Sequence, residues 1–279
     1  MPGGLRYRVM VGPPAGWRHR HPSDIAVDVV VPVLDEAHVL ARSIRALHGF
    51  LSAHVPQRWR IVIAENGSTD NTVDVGQQLC RELDRVHLIV LTKSGRGGAL
   101  RAAWSASRAD VVSYTDVDLS TELSGFARLF DRLIHEGYDL AVGSRRLPDS
   151  NVTRSFRRRV LSNGYNRLLG LALDVRFTDA QAGFKAVTRE VVCKVLPLVE
   201  DQSWFFDTEL LVLAERLGYR TADVPVRWVE GDDSRVNVMQ TVLDDLRGVA
   251  RLRAYLRSER FDRTAATARK EHGREGALR

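Results

Sequence analysis

Short β-branched runs alternate with stretches of helical apolar spacing along the first half of the chain, and no other feature narrows its fold so far. Residues 25–33, 60–64, 86–91, 110–115 and 140–143 read as buried strands. Between them 36–51, 70–83, 97–107 and 123–135 read as helices; in the first of these Val39, Leu40, Ile44, Leu47 and Leu51 share one face. Parallel strands need a crossover, and a helix is the usual one. The alternation therefore predicts an α/β fold with a mostly parallel central sheet flanked by helices.

The second half is less regular. Residues 152–173 form a long helical candidate, 184–187 a strand, 189–196 and 207–217 helices, and 224–229 a strand. Residues 236–256 spell an amphipathic helix through Val238, Val242, Leu246, Val249, Leu252 and Leu256. Residues 1–24, rich in Gly, Pro and Arg without an apolar period, are expected to be a disordered basic leader. Residues 25–257 would be the folded domain and 258–279 a charged, frayed tail.

Composition excludes several classes. A content of 44% hydrophobic and 27% charged residues fits a globular core rather than a disordered chain. No run approaches the roughly 18 apolar residues of a membrane span, and the N-terminal stretch lacks the apolar core of a signal peptide. Cys80 and Cys193 sit in apolar periodic segments and are expected as buried free thiols, which fits a reducing cytoplasm. The formal net charge is +6, and residues 150–173 hold Arg154, Arg157, Arg158, Arg159 and Arg167 with no acid. Charge so confined needs a local anion: nucleic acid, anionic lipid or a phosphate-bearing substrate. Few aromatics interleave with these arginines, which argues against nucleic acid.

Ligands of open α/β sheets bind beyond the carboxyl ends of the strands, and four such ends are polar here. Pro32-Val33-Leu34-Asp35-Glu36 closes the first strand; helix capping by Asp35 or Glu36 would also account for it. Glu65-Asn66-Gly67-Ser68-Thr69-Asp70 joins the second strand to a helix start, either as a capped turn or as a turn that sets N–H groups and an acid beside a ligand. Lys93-Ser94-Gly95-Arg96-Gly97-Gly98-Ala99 interleaves glycines and cations ahead of a helix and could hold a diphosphate. It lacks the ending of a P-loop and the register of a dinucleotide fingerprint, which argues against an NTPase or a dehydrogenase. Thr115-Asp116-Val117-Asp118 puts two carboxylates at the end of a buried strand. Uncompensated, they repel and lose solvation. A hard divalent cation removes both costs and shares its oxygen ligands with substrate phosphates; a capping pair is the plainer alternative.

In this order the four segments resemble the family 2 glycosyltransferases of GT-A fold, whose pattern runs P-x-x-N-E, D-D-G-S-x-D, G-K-G-G-A, D-x-D. Gly143-Ser144-Arg145, Asp179-Ala180-Gln181-Ala182-Gly183-Phe184-Lys185 and Trp204-Phe205-Phe206-Asp207-Thr208-Glu209-Leu210 extend the match. So do Val224-Pro225-Val226-Arg227-Trp228 and Asp233-Ser234-Arg235-Val236. Together they are similar to the dolichyl-phosphate glucosyltransferase and bacterial polyprenyl-phosphate sugar synthase branch, across about 25–256. Asp35 stands where the family has Asn, and Glu65-Asn66 where it has Asp-Asp.

The resemblance implies a GT-A nucleotide-diphospho-sugar transferase fold with amphipathic surface helices. It implies an inverting enzyme that moves a hexose, glucose from UDP-glucose first, to a polyprenyl phosphate of dolichyl or undecaprenyl type for cell-envelope glycan synthesis. GDP-mannose, UDP-N-acetylgalactosamine, or a soluble or polysaccharide acceptor are alternatives on the same fold. Asp116 and Asp118 would hold Mg²⁺ or Mn²⁺; Pro32, Leu34, Glu36 and Glu65 would line the nucleoside; Arg96 and Gly97 would sit near the donor. Gln181 and Asp207 would join the substrate contacts, and Asp179, Asp118 and Arg145 the catalytic set, with Asp179 orienting or assisting the nucleophile. The 204–206 triplet would shape an acceptor wall or pack in the core.

A polyprenyl monophosphate is anionic near neutral pH, with a second pKa of about 6. It needs cations more than a strong base, and Arg145 and the arginines after it offer planar forks that match phosphate oxygens. The arginines of 152–173 share their helix with Val160, Leu161, Tyr165, Leu168, Leu169 and Ala172, which suits a helix lying on an anionic membrane surface. A solvated helix packed by its leucine face is the alternative. The expected location is cytoplasmic, peripheral on the inner face of the membrane, with no nucleic-acid partner.

Overall fold

The computed structural model describes residue 17 and residues 20–92, 95–153, 156–229 and 238–276, with side-chain surroundings given outside 156–163, 238–242 and 268–276. The strands are β1 (Ala26–Val33), β2 (Arg58–Glu65), β3 (Val86–Val90), β4 (Val111–Thr115), β5 (Leu140–Ser144), β6 (Asn151–Thr153), β7 (Phe184–Thr188), β8 (Thr221–Pro225) and β9 (Arg227–Val229). The helices are α1 (Ala37–His54), α2 (Thr72–Glu82), α3 (Gly95–Ala106), α4 (Gly125–Ile134), α5 (Phe156–Leu173), α6 (Arg189–Lys194), α7 (Phe206–Arg216), α8 (Val238–Leu256) and α9 (Glu259–Gly276).

Seven strands form one sheet in the order β3-β2-β1-β4-β7-β5-β8. All neighbours are parallel except β7, which runs antiparallel to β4 and β5. The expected mostly parallel sheet is therefore present. Strand alternation sorts the two faces. Val27, Val29, Val31 and Val33 pack with Leu40, Ile44, Leu47 and Leu51 of α1, Leu79 of α2 and Phe126 of α4. Val30 faces the other side, among Leu100 and Trp104 of α3, Val191 of α6, Leu210 of α7 and Leu252 of α8. Each such fully buried side chain contributes roughly 1.5–3 kcal/mol, so both faces of the sheet are sealed by helices.

Two features of this topology place the site. From β1 the chain winds to β2 and β3 on one side, then returns to β4 on the other. That reversal opens a crevice at the carboxyl ends of β1 and β4. The antiparallel β7 then feeds into the same crevice from its amino end. Phe184 pairs with Thr115 of β4, and Lys185 with Val142 of β5. The turn at 179–183 is thereby set between the loop that leaves β4 and the loop that leaves β5.

Several boundaries differ from the sequence reading. Residues 152 and 153, read as the start of a helix, belong to β6, which pairs with β9; α5 is Phe156–Leu173. The strand expected over 224–229 is two strands, because the chain leaves the main sheet at Pro225, which has no N–H to donate, and Arg227–Val229 joins β6 instead. The segment after Ser258, expected to be frayed, is α9; its Phe261 and Ala265 are buried, and Phe261 meets Tyr255 edge-on at 5.5 Å. Of the leader, residues 1–16 lie outside the described residues, but Trp17 is buried in the core and Arg20 forms an ion pair with Asp110. The two cysteines are free and half-buried rather than fully buried.

A candidate donor and acceptor site

Asp116 directly succeeds β4, and the register with β7 lays it against Gly183. Its N–H donates to the Gly183 carbonyl at 3.2 Å. A Cβ at residue 183 would overlap the Asp116 carboxylate, so this turn needs glycine for closeness. Asp118, two residues on, is exposed and accepts the Ser120 N–H at 3.0 Å. The two carboxylates thus stand at the rim of the crevice, the donor set of a hard cation. The glycine lets the Asp116 carboxylate lie against the turn, and both carboxylates are oxygen donors of the kind a hard cation takes, so the residues present fit such an ion. Among the described residues no third His, Cys, Asp or Glu joins them, which leaves the other positions of such an ion to water and substrate.

Arg96, at the start of α3, bonds Asp116 Oδ1 at 2.9 Å and Asp207 Oδ2 at 2.6 Å. Its guanidinium lies over the rings of Tyr114 and Trp204, at 4.9 and 5.3 Å. Behind it, Asp207 Oδ1 accepts from the Tyr114 hydroxyl at 2.6 Å and pairs with Lys185 Nζ at 3.1 Å. Burial opposes the Asp207 charge, but the Lys185 and Arg96 cations outweigh it and hold this carboxyl below the usual range. For Lys185, 0% exposed, burial wins and pushes the ammonium below its ordinary value. Asp207, expected among the substrate contacts, is buried behind Arg96 and acts on that arginine instead.

Across the 179–183 turn, Arg145 comes directly after β5. Its Nε and Nη2 donate to Asp179 Oδ2 and Oδ1 at 2.7 and 2.8 Å, and its backbone N–H to Oδ2 at 3.1 Å. The guanidinium also lies 5.5 Å from the Trp228 ring. Burial works against ionisation of Asp179, but the Arg145 charge and hydrogen bonds, with Lys185 behind, keep the carboxyl below the ordinary range. Both residues were expected to face the acceptor. Here they are committed to each other, with the Nη1 side of Arg145 left outside the pair.

At the other end, the loops after β1 and β2 brace one another. Asp35, at φ 54°, accepts the Thr69 N–H at 2.7 Å, while its own N–H donates to Ser68 Oγ at 2.9 Å. Glu36 N–H donates to Thr72 Oγ1 at 2.9 Å, and Ala37 N–H to Asp70 Oδ2 at 3.1 Å. Asp is among the few side chains that tolerate positive φ, so Asp35 serves this frame as Asn would. Neither N-cap residue, Glu36 of α1 or Asn71 of α2, makes a side-chain cap bond; Asp70, rather than Asp35 or Glu36, accepts the first N–H of both helices. Glu65 is buried and accepts the Ser68 N–H. Leu34 is 42% exposed and Pro32 half-buried, so an apolar rim and an acid share this end.

The glycine turn differs most from its sequence reading. Gly98 N–H, expected for an anion, donates to the Gln202 carbonyl at 2.9 Å. A Cβ on Gly97 would come within 2.5 Å of Phe206 Cβ. Packing against 202–206 thus demands glycine at 95 and 97, and Arg96 between them is the group turned toward the crevice. Phe205 and Phe206 are core residues, while Trp204 is partly exposed on Arg96. Lys93, Ser94, Arg154 and the 233–236 motif lie outside the described residues, as do the side chains of Arg157, Arg158 and Arg159.

Tyr114, Lys185 and Asp245 escaped the sequence reading. Tyr114 passes for a core aromatic. Lys185 carried a signal, a cation inside an apolar strand run, which is rarely buried unless paired. Asp245 falls on the apolar side of the α8 period, between Val242 and Val249, and an acid there was the signal; it is buried and accepts from Gln181 Nε2 at 2.9 Å.

The model of a family described as glycosyl transferase family 2 matches residues 28–196. Glycosyltransferase AglD of Haloferax volcanii is 37% identical over 221 residues, which are 78% of this chain and 35% of that protein. The dolichyl-phosphate beta-glucosyltransferase of Drosophila melanogaster is 31% identical over 226 residues, 76% of this chain and 69% of that one. Its namesake in Saccharomyces cerevisiae is 28% identical over 237 residues, 78% and 71% of the two chains. Among solved structures, glucosyl-3-phosphoglycerate synthase from Mycobacterium tuberculosis in complex with uridine diphosphate superposes with a TM-score of 0.61 at 18% identity, covering 82% of this chain and 80% of that one. The same enzyme with Mn²⁺, uridine diphosphate and phosphoglyceric acid gives 0.57 at 20% identity, covering 82% and 77%. At these identities the structures speak for the fold.

Proposed function

The chain belongs to glycosyl transferase family 2 and has the GT-A fold of a hexosyltransferase, and from that premise we propose that it moves glucose from UDP-glucose to a polyprenyl phosphate with inversion at the sugar. The observation that carries the reading is the 179–183 turn, which has Asp116 against its last residue and the Arg145–Asp179 couple at its first, with Asp118 exposed two residues beyond Asp116. The lipid phosphate and the glucose are supported by the relatives named dolichyl-phosphate beta-glucosyltransferase.

Asp116 and Asp118 would hold a divalent ion, Mg²⁺ or Mn²⁺, which offsets the charge of the departing nucleoside diphosphate. Arg96 stands beside Asp116 to receive the same diphosphate, steadied by Asp207 and the Tyr114 ring. Glu65, Pro32, Leu34 and Glu36 would line the nucleoside. On the acceptor side Arg145 offers its free edge to the lipid phosphate, and Asp179 fixes the plane of that guanidinium. Direct attack by the phosphate oxygen gives a β-linked product from an α-linked donor. Among the described residues no helix is long and apolar enough to cross a membrane. Access to the acceptor would come from lying on the inner, cytoplasmic face of one, through α5.

The test is transfer from radiolabelled UDP-glucose, GDP-mannose and UDP-N-acetylgalactosamine to polyprenyl phosphate, with Mg²⁺, Mn²⁺ or EDTA. Glucose transfer that requires the metal and is lost in Asp118→Asn, with unchanged circular dichroism, is the expected result. Transfer only to a soluble acceptor, or full activity in EDTA, overturns the reading.

A further inference from the structure

Asp245, on α8 and outside the family-matched segment, is 2% exposed and holds one end of the Gln181 amide: Gln181 Nε2 donates to Asp245 Oδ2 at 2.9 Å. In its ionised form Asp245 only accepts, whereas an amide has donors on its nitrogen and acceptor sites on its oxygen. The nitrogen must therefore face Asp245, and the planar amide turns its oxygen away. Among the described residues no donor is bonded to that oxygen.

A second observation concerns the carboxylate itself. Asp245 Oδ1 is buried and makes no close hydrogen bond among the described residues; what it has is a weaker interaction with the Tyr165 hydroxyl. Tyr165, whose hydroxyl bonds Thr208 Oγ1 at 2.9 Å, stands beside it, and Asp201 adds a like charge. Packing alone does not ask for an acid here. An acid does fix which way Gln181 points.

Gln181 lies midway along the turn whose first residue, Asp179, is gripped by Arg145 and whose last, Gly183, touches Asp116. On the proposed function, which this inference rests on, the diphosphate is held at Asp116 and the acceptor phosphate at Arg145. The group that must span the interval is the transferred hexose. Its hydroxyls are donors; phosphate oxygens near neutral pH are acceptors. We propose that Asp245 is a positioning residue for sugar recognition: it turns Gln181 so that the amide oxygen accepts a hydrogen bond from one hydroxyl of the transferred sugar.

The test compares wild type, Gln181→Ala and Asp245→Asn by kcat/KM on UDP-glucose and on its 2-, 3-, 4- and 6-deoxy analogues. Asparagine offers both a donor and an acceptor, so it no longer dictates the orientation of Gln181. Wild type should lose about tenfold on one analogue, the worth of one hydrogen bond. Both variants should lose about tenfold on UDP-glucose yet show no further loss on that same analogue, with the other penalties unchanged. If every analogue keeps its wild-type penalty in both variants, or only the melting temperature moves, the inference is overturned. Gln181 is half-buried on a turn, so its truncation keeps the test decisive should Asp245→Asn fold poorly. If wild type rejects UDP-glucose but uses another nucleotide-sugar, the donor assignment fails while the deoxy series of that sugar still tests Asp245. Turnover of no nucleotide-sugar sinks both.

Discussion

Arg145 meets Asp179 edge to edge, with Nε and Nη2 on the two carboxylate oxygens at 2.7 and 2.8 Å, and the carboxylate is 0% exposed. A carboxyl held ionised so firmly is a poor proton acceptor. Its site-level effect is to fix the plane and the remaining edge of the guanidinium.

Asp179→Asn should therefore lower turnover by less than the roughly 10²–10⁴-fold that loss of a general base costs. Donor affinity, read by titration calorimetry with uridine diphosphate and Mn²⁺, should stay as in wild type. Thermal stability should fall, because removing one partner of a buried pair costs about 3–5 kcal/mol. A loss at the upper end of the catalytic range, relieved as pH rises, would instead make Asp179 a base.

Gly183→Ala addresses the other end of the same turn. The added methyl has nowhere to go except into the Asp116 carboxylate. The fold has some latitude, since the Asp116 side chain is about half exposed and can swing out. The expected outcome is a retained circular dichroism spectrum with metal-dependent uridine diphosphate binding weakened at least about tenfold, the order of one lost charge-assisted contact. Unaltered binding would show that Asp116 does not need its present place.

The parallel half of the fold was legible because each strand there is a short apolar run closed by polar residues, and each helix shows its face. The reversed β7 was not, since strand direction leaves no mark on a stretch such as Phe184–Thr188. Yet that reversal is what brings Asp179 to Arg145 and Gly183 to Asp116. Asp116 and Asp118 could be read as a rim pair from strand-end position alone. The burial of Asp207 behind Arg96 could not, because an acid in the first turn of a helix is ordinary on propensity grounds. The same limit misread the glycine turn: small residues satisfy both anion binding and close packing, and only Gln202 and Phe206 decide between them.

Membrane association is the third measurement. Leu171 on α5 is 82% exposed, and Leu168, Leu243 and Leu246 are also exposed large apolar side chains. Replacing Arg154, Arg157, Arg158 and Arg159 by Gln should weaken binding to phosphatidylglycerol vesicles by up to roughly 4 kcal/mol, at about 1 kcal/mol for each basic residue near the surface. Raising the salt should imitate the change, and Leu171→Asp should add to it by removing apolar insertion. Co-sedimentation unchanged in both variants would make α5 a solvated helix.

Asp245 supplies a test on stability alone. Burial first, then the like charge of Asp201, raises its carboxyl from 3.8 to about 7, with Asp244 adding to the rise and Tyr165 and Gln181 opposing it. The native state thus keeps this proton to a higher pH than the unfolded chain does. Its contribution to stability is complete below the unfolded value and is lost as pH climbs through the folded one. Asp245→Asn has no such ionisation. Relative to wild type, the variant should gain unfolding free energy between about pH 5 and about pH 8, by up to roughly 2.5 kcal/mol. Urea unfolding of both proteins at the two pH values reads the difference directly. A difference independent of pH would mean that Asp245 ionises in the native state as easily as in the unfolded one. If the predicted slope appears, the protein carries a destabilising carboxylate near neutral pH, where its ionised form leaves the Gln181 oxygen for the sugar.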